Sequence, residues 1–182
     1  NIPTKIINEA KSLYNIITQT KISRGSNRKG IIGACLYFAC KECNVPRSSK
    51  EIAKMFDIDP KIMTKGCKKF NEILNINYDS STAQDFINRF CAKLGKPEIV
   101  DDCLYVIQKA EEYSIVAENA PPSIATGVIF LVSSHNSVKL SKKEIAKTCE
   151  ISEVTINKCY KKLLKYAKFI LPEKEATQGE IE

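Results

Sequence analysis

Cysteine and histidine are the side chains most able to bind metals or to act as nucleophiles and bases, so their spacing comes first. The chain has eight cysteines and one histidine in 182 residues. Only Cys40 and Cys43 have the C-x-x-C spacing of a metal or redox site, and a four-ligand zinc site needs a second pair. We therefore expect buried, apolar cysteines in a reducing compartment, with no metal and no cofactor.

Other motifs for catalysis are missing from the sequence. The seven glycines are dispersed and form neither G-x-x-x-x-G-K nor G-x-G-x-x-G, the loops that bind phosphate groups. His135 lies in a predicted polar turn, where no carboxylate would orient it as a base. Adjacent carboxylates at residues 101–102 and 111–112 fall on predicted helix surfaces, where solvation explains them. We expect no catalytic residue and no small-molecule substrate.

The positive charge of the chain indicates a polyanionic partner. The sequence has 28 basic and 21 acidic residues, a net charge of +7. One basic region lies in residues 1–94, and a second, residues 139–168, has nine lysines against three glutamates. Two separate basic regions favour a nucleic acid touched at two places, although a lysine-rich solvated surface is the alternative. No stretch approaches the roughly 18 uncharged apolar residues of a membrane span, so no membrane partner is expected.

An internal repeat organises the sequence. Residues 28–74 align with residues 121–167 without a gap, and the strongest match places S-S-K-E-I-A-K at residues 48–54 over S-K-K-E-I-A-K at residues 141–147. Two copies of one unit therefore make up the chain. We place the first repeat at residues 1–78, the second at residues 79–171, and an acidic, flexible tail at residues 172–182.

Each repeat is predicted to be helical, because apolar residues recur at intervals of three and four with almost no alternation. The nearly continuous apolar stretches at residues 31–40 and 124–132 predict a central helix that is buried on most sides. Two serine–glutamate pairs have capping-box spacing, and two further residues are expected to cap longer helices. These are Ser48 with Glu51, Ser141 with Glu144, Asp59 and Ser152.

The second repeat contains a candidate helix-turn-helix, with helices at residues 141–149 and 153–168 around a turn at residues 150–151. One face of the second helix is predicted to be core: Ile156, Tyr160, Leu163 and Ala167. The opposite face has polar and apolar residues at its amino end, followed by lysines: Val154, Thr155, Asn157, Lys158, Lys161 and Lys162. Its first turn suits base edges and its lysines suit phosphates. A helix pair that serves only packing is the alternative.

Several motifs resemble a known family. The runs G-A-C-L-Y-F-A-C at residues 33–40 and V-P-R-S-S-K-E-I at residues 45–52 closely resemble the first cyclin-like repeat of transcription initiation factor IIB. The run D-F-I-N-R-F-C at residues 85–91 is similar to the stretch between that family's repeats. In the second repeat, P-S-I-A at residues 122–125 and V-T-I at residues 154–156 also match.

This resemblance implies an all-α fold of two tandem five-helix cyclin-like domains, the second with a helix-turn-helix. It implies a general transcription initiation factor without a chemical step. The implied partners are the TATA-box-binding protein, the promoter DNA that flanks the TATA element, and RNA polymerase. The implied location is the nucleus, or a viral transcription compartment if a large DNA virus encodes the chain. We also expect a core fragment of a longer protein, because the family carries an amino-terminal zinc ribbon.

Residue roles follow from the same resemblance. Three positions match residues that the family uses toward the TATA-box-binding protein: Lys41, Lys61 and Lys65. Residues 24–29 match a loop that approaches DNA downstream of the TATA element, through Arg24, Gly25, Arg28 and Lys29. The upstream DNA contacts fall on Val154, Thr155, Asn157, Lys158 and Lys161. Lys41, Lys61 and Lys65 could each be a solvated cation instead.

Asn157 departs from the family, which has an arginine at this position. An asparagine can pair bidentately with adenine but cannot reproduce arginine on guanine, so the upstream preference is open. Two other functions are open as well. A related factor of the RNA polymerase III system shares the repeats, although residues 85–91 look more like factor IIB. A cyclin-like protein-interaction module shares the fold but would not require two basic surfaces.

Overall fold

The computed structural model describes residues 2–20, 22–75 and 81–173. Two compact units make up the chain, Asn1–Asp85 and Phe86–Glu182. The predicted repeat boundary, between residues 78 and 79, lies outside the described residues, and so does the predicted tail beyond residue 173. Within the described ranges every regular element is a helix, so the all-α prediction is confirmed. No helix in these ranges is long and apolar enough to cross a membrane.

Among its described residues, the first unit contains four whole helices, and α2 is the central one. Between Gly30 and Cys40 only Ile32 and Tyr37 keep partial exposure, which confirms the burial predicted from the apolar run. Helix α2 packs chiefly against α1 and α4. The four helices are α1 (Thr4–Thr20), α2 (Gly25–Glu42), α3 (Ser49–Met55) and α4 (Pro60–Leu74).

Two glycines allow α2 and α4 to approach closely. A Cβ atom added to Gly30 would lie 2.7 Å from the carbonyl oxygen of Ile62. A Cβ atom added to Gly66 would overlap the carbonyl group of Gly30. Backbone atoms cannot move aside as a side chain can, so only glycine fits at this crossing. Further along, the rings of Phe38 and Phe70 stack with centroids 4.4 Å apart, which closes the same interface.

The second unit is built around α7, whose residues from Ser123 to Ile129 are all buried. The buried hydroxyl of Ser133 is satisfied within the helix, since it donates to the carbonyl of Ile129 at 2.7 Å. Gly127 lets α9 approach, because an added Cβ atom would lie 2.6 Å from Cβ of Cys159. The helices are α5 (Gln84–Lys93), whose first two residues belong to the first unit, α6 (Val100–Glu112), α7 (Pro121–His135), α8 (Lys142–Cys149), α9 (Glu153–Leu164) and α10 (Ala167–Ile170), with a 3-10 turn at Pro97–Ile99.

The predicted helix caps form, with one difference between the repeats. At α3 the hydroxyl of Ser48 accepts from the backbone N–H of Glu51 at 3.2 Å, and the Ser48 N–H donates to the Glu51 carboxylate at 2.8 Å. At α8 the hydroxyl of Ser141 accepts from the N–H of Glu144 at 3.1 Å, without the return bond that α3 has. Asp59 caps α4 as expected, through a 2.6 Å bond from the Lys61 N–H.

Two helix boundaries differ from the sequence predictions. The loop expected at residues 24–29 is largely helical, because α2 begins at Gly25. The helix expected at residues 153–168 ends at Leu164, and Ala167, predicted as part of its core face, belongs to α10. On α9 the buried residues are Ile156, Cys159 and Leu163, whereas Tyr160 is half-buried.

Candidate nucleic-acid interface

The α8–α9 pair in the second unit has the helix-turn-helix form that the sequence predicted. Glu150 adopts a left-handed conformation (φ 57°) that ends α8 and turns the chain. Ser152 then caps α9, because its hydroxyl accepts from the Thr155 N–H at 3.2 Å. The two hydroxyls of Ser152 and Thr155 also lie 2.8 Å apart. Thr155 is therefore occupied in the cap and less available to a ligand than its neighbours.

An exposed stripe runs along α9 on the side opposite its buried residues. Val154, in the first turn of α9, is 66% exposed. Lys158 and Lys161 follow one and two turns later on the same face and are exposed. Neither lysine has a hydrogen bond or ion pair to any other described residue. The stripe thus presents an apolar group at the amino end of α9 and two uncompensated cations beyond it.

Asn157 lies beside this stripe and is held by a lysine of α8. The ammonium group of Lys142 donates to the Asn157 side-chain oxygen at 2.8 Å. The same ammonium group lies 4.9 Å from the ring centroid of Phe130 and 5.3 Å from that of Tyr160. The two rings contact each other edge to face at 4.8 Å. Sequence reasoning missed Lys142, because nothing in the spacing of residues 142 and 157 predicts that they meet.

Lys162 is engaged differently from Lys158 and Lys161. Its ammonium group donates to the side-chain oxygen of Asn119 at 3.1 Å and lies 3.9 Å from the Glu118 carboxylate. Both partners precede α7, so this lysine ties α9 to the segment before the central helix. Of the lysines on this part of α9, Lys162 is the one whose charge is already partly compensated.

In the first unit, the predicted downstream DNA contacts gather at the amino end of α2. Arg24, Gly25, Arg28 and Lys29 are all exposed. Gly25 begins the helix with φ 58°, a conformation that favours glycine. The guanidinium group of Arg28 donates to the hydroxyl of Tyr14 at 2.9 Å, which anchors it on α1. Cations and free N–H groups at a helix amino end can together bind a phosphate.

The three lysines predicted to contact a protein partner do not form one cluster along α4. Lys61 and Lys65 are exposed and lie one turn apart in the first half of α4. Lys41 is half-buried in the last turn of α2. At about 1.5 Å per residue, Lys41 lies about 16 Å along α2 from Gly30, where α2 crosses α4. Phe38, between these two positions on α2, stacks on Phe70, so Lys41 lies toward the Phe70 end of α4.

The cysteines lie mostly in the helix cores. Cys35 and Cys40 are buried on α2, and Cys43 is half-buried. Burial raises the pKa of the Cys35 thiol to about 12 and that of Cys67 to about 11. Across residues 2–20, 22–75 and 81–173, no three histidine, cysteine, aspartate or glutamate side chains come together in a way that could hold a metal ion.

Comparison with known proteins assigns the family. The profile of the transcription factor TFIIB repeat matches twice, at residues 1–73 and 76–166. The chain belongs to the transcription factor TFIIB family. The two TFIIB repeats confirm the tandem cyclin-like fold, and the two matches agree with the internal repeat found in the sequence. The family is one of transcription factors, which is not an enzyme class.

Curated members of the TFIIB family include eukaryotic and viral proteins. A transcription initiation factor IIB-like protein of Acanthamoeba polyphaga mimivirus is 34% identical over 92% of this chain. Transcription initiation factor IIB of Drosophila virilis is 33% identical over 95% of the chain, and that of Homo sapiens is 30% identical over 94%. The chain spans 41%, 59% and 55% of the length of these three relatives.

Proposed function

We propose that the chain is the core of a general transcription initiation factor that binds the complex of TATA-box-binding protein and promoter DNA and bridges it to RNA polymerase. The observation that carries this proposal is the exposed stripe of α9, Val154 with Lys158 and Lys161, on a capped helix-turn-helix. The exposed side chain of Val154 lies at the amino end of α9, one and two turns before these two lysines. It suits an apolar contact with a base edge, and the lysines suit the flanking phosphates.

The first unit contributes a second DNA contact in this proposal. Arg24, Arg28 and Lys29 bring three cations to the amino end of α2. Glycine at position 25 leaves the backbone accessible there. An added Cβ atom would have no other atom within 4 Å, but a residue that carries a Cβ atom would be strained at φ 58°. The attachment of Arg28 to Tyr14 limits its freedom, which lowers the entropy that phosphate binding would cost. This end of α2 is proposed to bind phosphates downstream of the TATA element.

The contact with the TATA-box-binding protein is proposed to involve Lys61 and Lys65 on one surface, and Lys41, toward the other end of α4, as a separate contact. The two exposed lysines of α4 form a rigid pair, because α4 is fixed to α2 at the glycine crossing. A pair of this kind suits an acidic surface of a protein partner. Action in the nucleus, or in a viral transcription compartment, is part of the same proposal.

A gel shift on a labelled TATA promoter at about physiological salt tests the bridging function. The expected result is a supershift that requires both the TATA-box-binding protein and the TATA element. Tight binding to DNA alone would indicate an autonomous DNA-binding protein. Binding under neither condition would contradict the proposal and favour a cyclin-like protein-interaction module.

The protein contact has a separate test. Lys61→Glu combined with Lys65→Glu should abolish the supershift while the circular dichroism spectrum stays unchanged, because both side chains are exposed. The matched control is Lys5→Glu combined with Lys11→Glu on α1, which changes the net charge equally at two other exposed lysines. If both double variants weaken assembly equally, the effect is one of net charge and the assigned surface is wrong.

A further inference from the structure

Large apolar side chains are exposed together at the carboxyl end of α9 and on α10. Leu164, Tyr166 and Phe169 are 47%, 46% and 69% exposed. Ten large apolar or aromatic side chains are exposed in residues 2–20, 22–75 and 81–173, and three of them fall within these six residues. A single exposed apolar side chain is ordinary on a protein surface, whereas a cluster with a polar rim is typical of an interaction site.

The two aromatic side chains lie on a well-anchored turn. Helix α10 packs against α6, and Ile170 is fully buried. The backbone N–H groups of Phe169 and Ile170 both donate to the carbonyl of Tyr166, at 2.8 and 3.2 Å. Tyr166 and Phe169 are three residues apart in this turn, so their side chains are neighbours on its exposed side. A surface that is already fixed loses little conformational freedom when it binds a partner.

A row of lysines borders the aromatic pair. Lys161, Lys165 and Lys168 are separated by four and three residues, and Lys165 keeps helical dihedrals (φ −60°, ψ −28°), so the three follow one side. All three are exposed, and their side chains have no hydrogen bond or ion pair to the residues that the structure describes. Residues 154–172 contain five lysines and no aspartate or glutamate. The positive charge beside the aromatic pair is therefore uncompensated by this stretch of the chain.

This combination of side chains favours a protein partner over duplex DNA. Phosphate groups would pair with the lysines but would leave the apolar side chains in water, whereas a peptide can offer carboxylates and apolar groups together. The base-reading end of a recognition helix is its amino end. Val154, at that end, precedes Leu164 by ten residues, about 15 Å along α9. The apolar cluster thus lies away from the bases that α9 is proposed to read.

We propose that the surface formed by Leu164, Lys165, Tyr166, Lys168 and Phe169 binds an acidic segment of a protein partner that also carries apolar side chains. The apolar side chains of the segment pack on Leu164 and the two rings, and its carboxylates pair with the two lysines. A single-stranded nucleic acid suits the surface less well, because bases stack on rings and Leu164 has none. None of these five residues is assigned to DNA or to the TATA-box-binding protein, so the inference does not rest on the proposed function.

The test is fluorescence anisotropy of a short labelled peptide of aspartate, leucine and phenylalanine, titrated with the complete chain. The control peptide has the same aspartates, with serine at each leucine and phenylalanine. We expect the control peptide to bind at least about tenfold more weakly, the effect of losing one well-buried apolar side chain. Binding of the first peptide should also weaken as salt is raised, because the ion pairs are exposed. Equal binding of the two peptides would overturn the proposal.

Variants of the chain locate the contact. Phe169→Ala should weaken peptide binding by about 5- to 30-fold, as expected for an important interface side chain. Tyr166→Ala is a second variant of the same kind, and both should keep the circular dichroism spectrum because the side chains are exposed. Lys165→Gln combined with Lys168→Gln should weaken binding and reduce its salt dependence. The matched control is Val154→Ala, at an exposed apolar residue near the other end of α9, which should leave peptide binding unchanged. Unchanged peptide binding in both aromatic variants would overturn the proposal.

Other occupants of this surface give different results. A single-stranded oligonucleotide that binds more tightly than the peptide and is lost in Phe169→Ala would overturn the proposal in favour of nucleic acid. A dimer in light scattering that Phe169→Ala dissociates would assign the surface to a second copy of the chain. Residues 174–182 contain three glutamates and one lysine. Tighter peptide binding after substitution of these glutamates by glutamine would assign the surface to the chain's own acidic end.

The promoter gel shift separates this inference from the proposed function. Phe169→Ala should leave the supershift with the TATA-box-binding protein unchanged. If it weakens the supershift as much as it weakens peptide binding, the surface belongs to the promoter complex and the proposal is overturned. If the unmodified chain gives no supershift but binds the peptide as expected, only the proposed function is refuted.

Discussion

The two uncompensated lysines of α9 permit a quantitative prediction about salt. Each phosphate that a cation neutralises contributes about −0.9 to the slope of log affinity against log salt concentration on double-stranded DNA. Lys158 and Lys161 have no partner among the described residues, so each is free to bind a phosphate. Lys158→Ala combined with Lys161→Ala should therefore make the slope less steep by about 1.8. Between about 50 and 200 mM salt, a slope difference of this size corresponds to about a 12-fold change in relative affinity.

The assay is fluorescence anisotropy of a labelled TATA promoter duplex at several salt concentrations, with the TATA-box-binding protein present at saturation. The control is Lys162→Ala on the same helix. Its ammonium group is already bonded to Asn119 and lies near Glu118, so its removal should change the slope by much less than about 0.9. The double variant should lose affinity mainly at low salt, where counterion release contributes most.

Two results would refute this reasoning. If the slope of the double variant equals that of the unmodified chain, the exposed stripe of α9 does not touch phosphates. If Lys162→Ala changes the slope as much as the loss of either Lys158 or Lys161, the structural distinction between paired and unpaired lysines has no bearing on DNA binding.

Three further predictions concern packing, thiol reactivity and base reading. Gly66→Ala should destabilise the first unit by about 2 kcal/mol and lower its Tm by about 8 to 16 °C in circular dichroism, because the added Cβ atom overlaps Gly30. An unchanged Tm would contradict the close approach of α2 and α4. At about pH 8, iodoacetamide should alkylate the half-buried Cys43 well before Cys35, because the Cys35 pKa of about 12 keeps that thiol protonated. Mass spectrometry of the folded protein measures the two alkylation rates, and equal rates would contradict the burial of Cys35. Val154→Asp should reduce the dependence of binding on upstream sequence without loss of helicity, since this side chain is 66% exposed; an equal loss on all upstream sequences in gel shifts would argue against base reading.

The fold was largely predictable, because most of its signals are local. The apolar run at residues 31–40 marked α2 as the central helix, and the serine–glutamate spacing marked the start of α3 through bonds three residues apart. Helix ends were less predictable. No glycine or proline directly follows Leu164, and α9 ends there while the chain turns to bury Ile170 on α10, which packs against α6.

The choice between neighbouring core residues also depended on packing. Tyr160 was predicted to be core from its helical spacing, but its ring lies half-buried against Phe130 and Lys142. Cys159 is buried instead, because Gly127 opens a space on α7 that accepts a small side chain. Helical periodicity predicts a broad apolar stripe, so it identifies a buried face more reliably than each member of that face.

Residue types and their order along the chain suffice for the repeats, the helical class, the caps and the positions of α9 that face away from its core. The repeats come from aligning the sequence with itself, and the other features depend on interactions over three or four residues, which a sequence displays directly. Only the tertiary structure decides which lysines are engaged and how the Asn157 amide points, because Lys142 and Asn157 lie on different helices. The physical reason is that a hydrogen bond between helices depends on their separation and rotation, and here these are set by distant contacts such as that of Gly127 with Cys159.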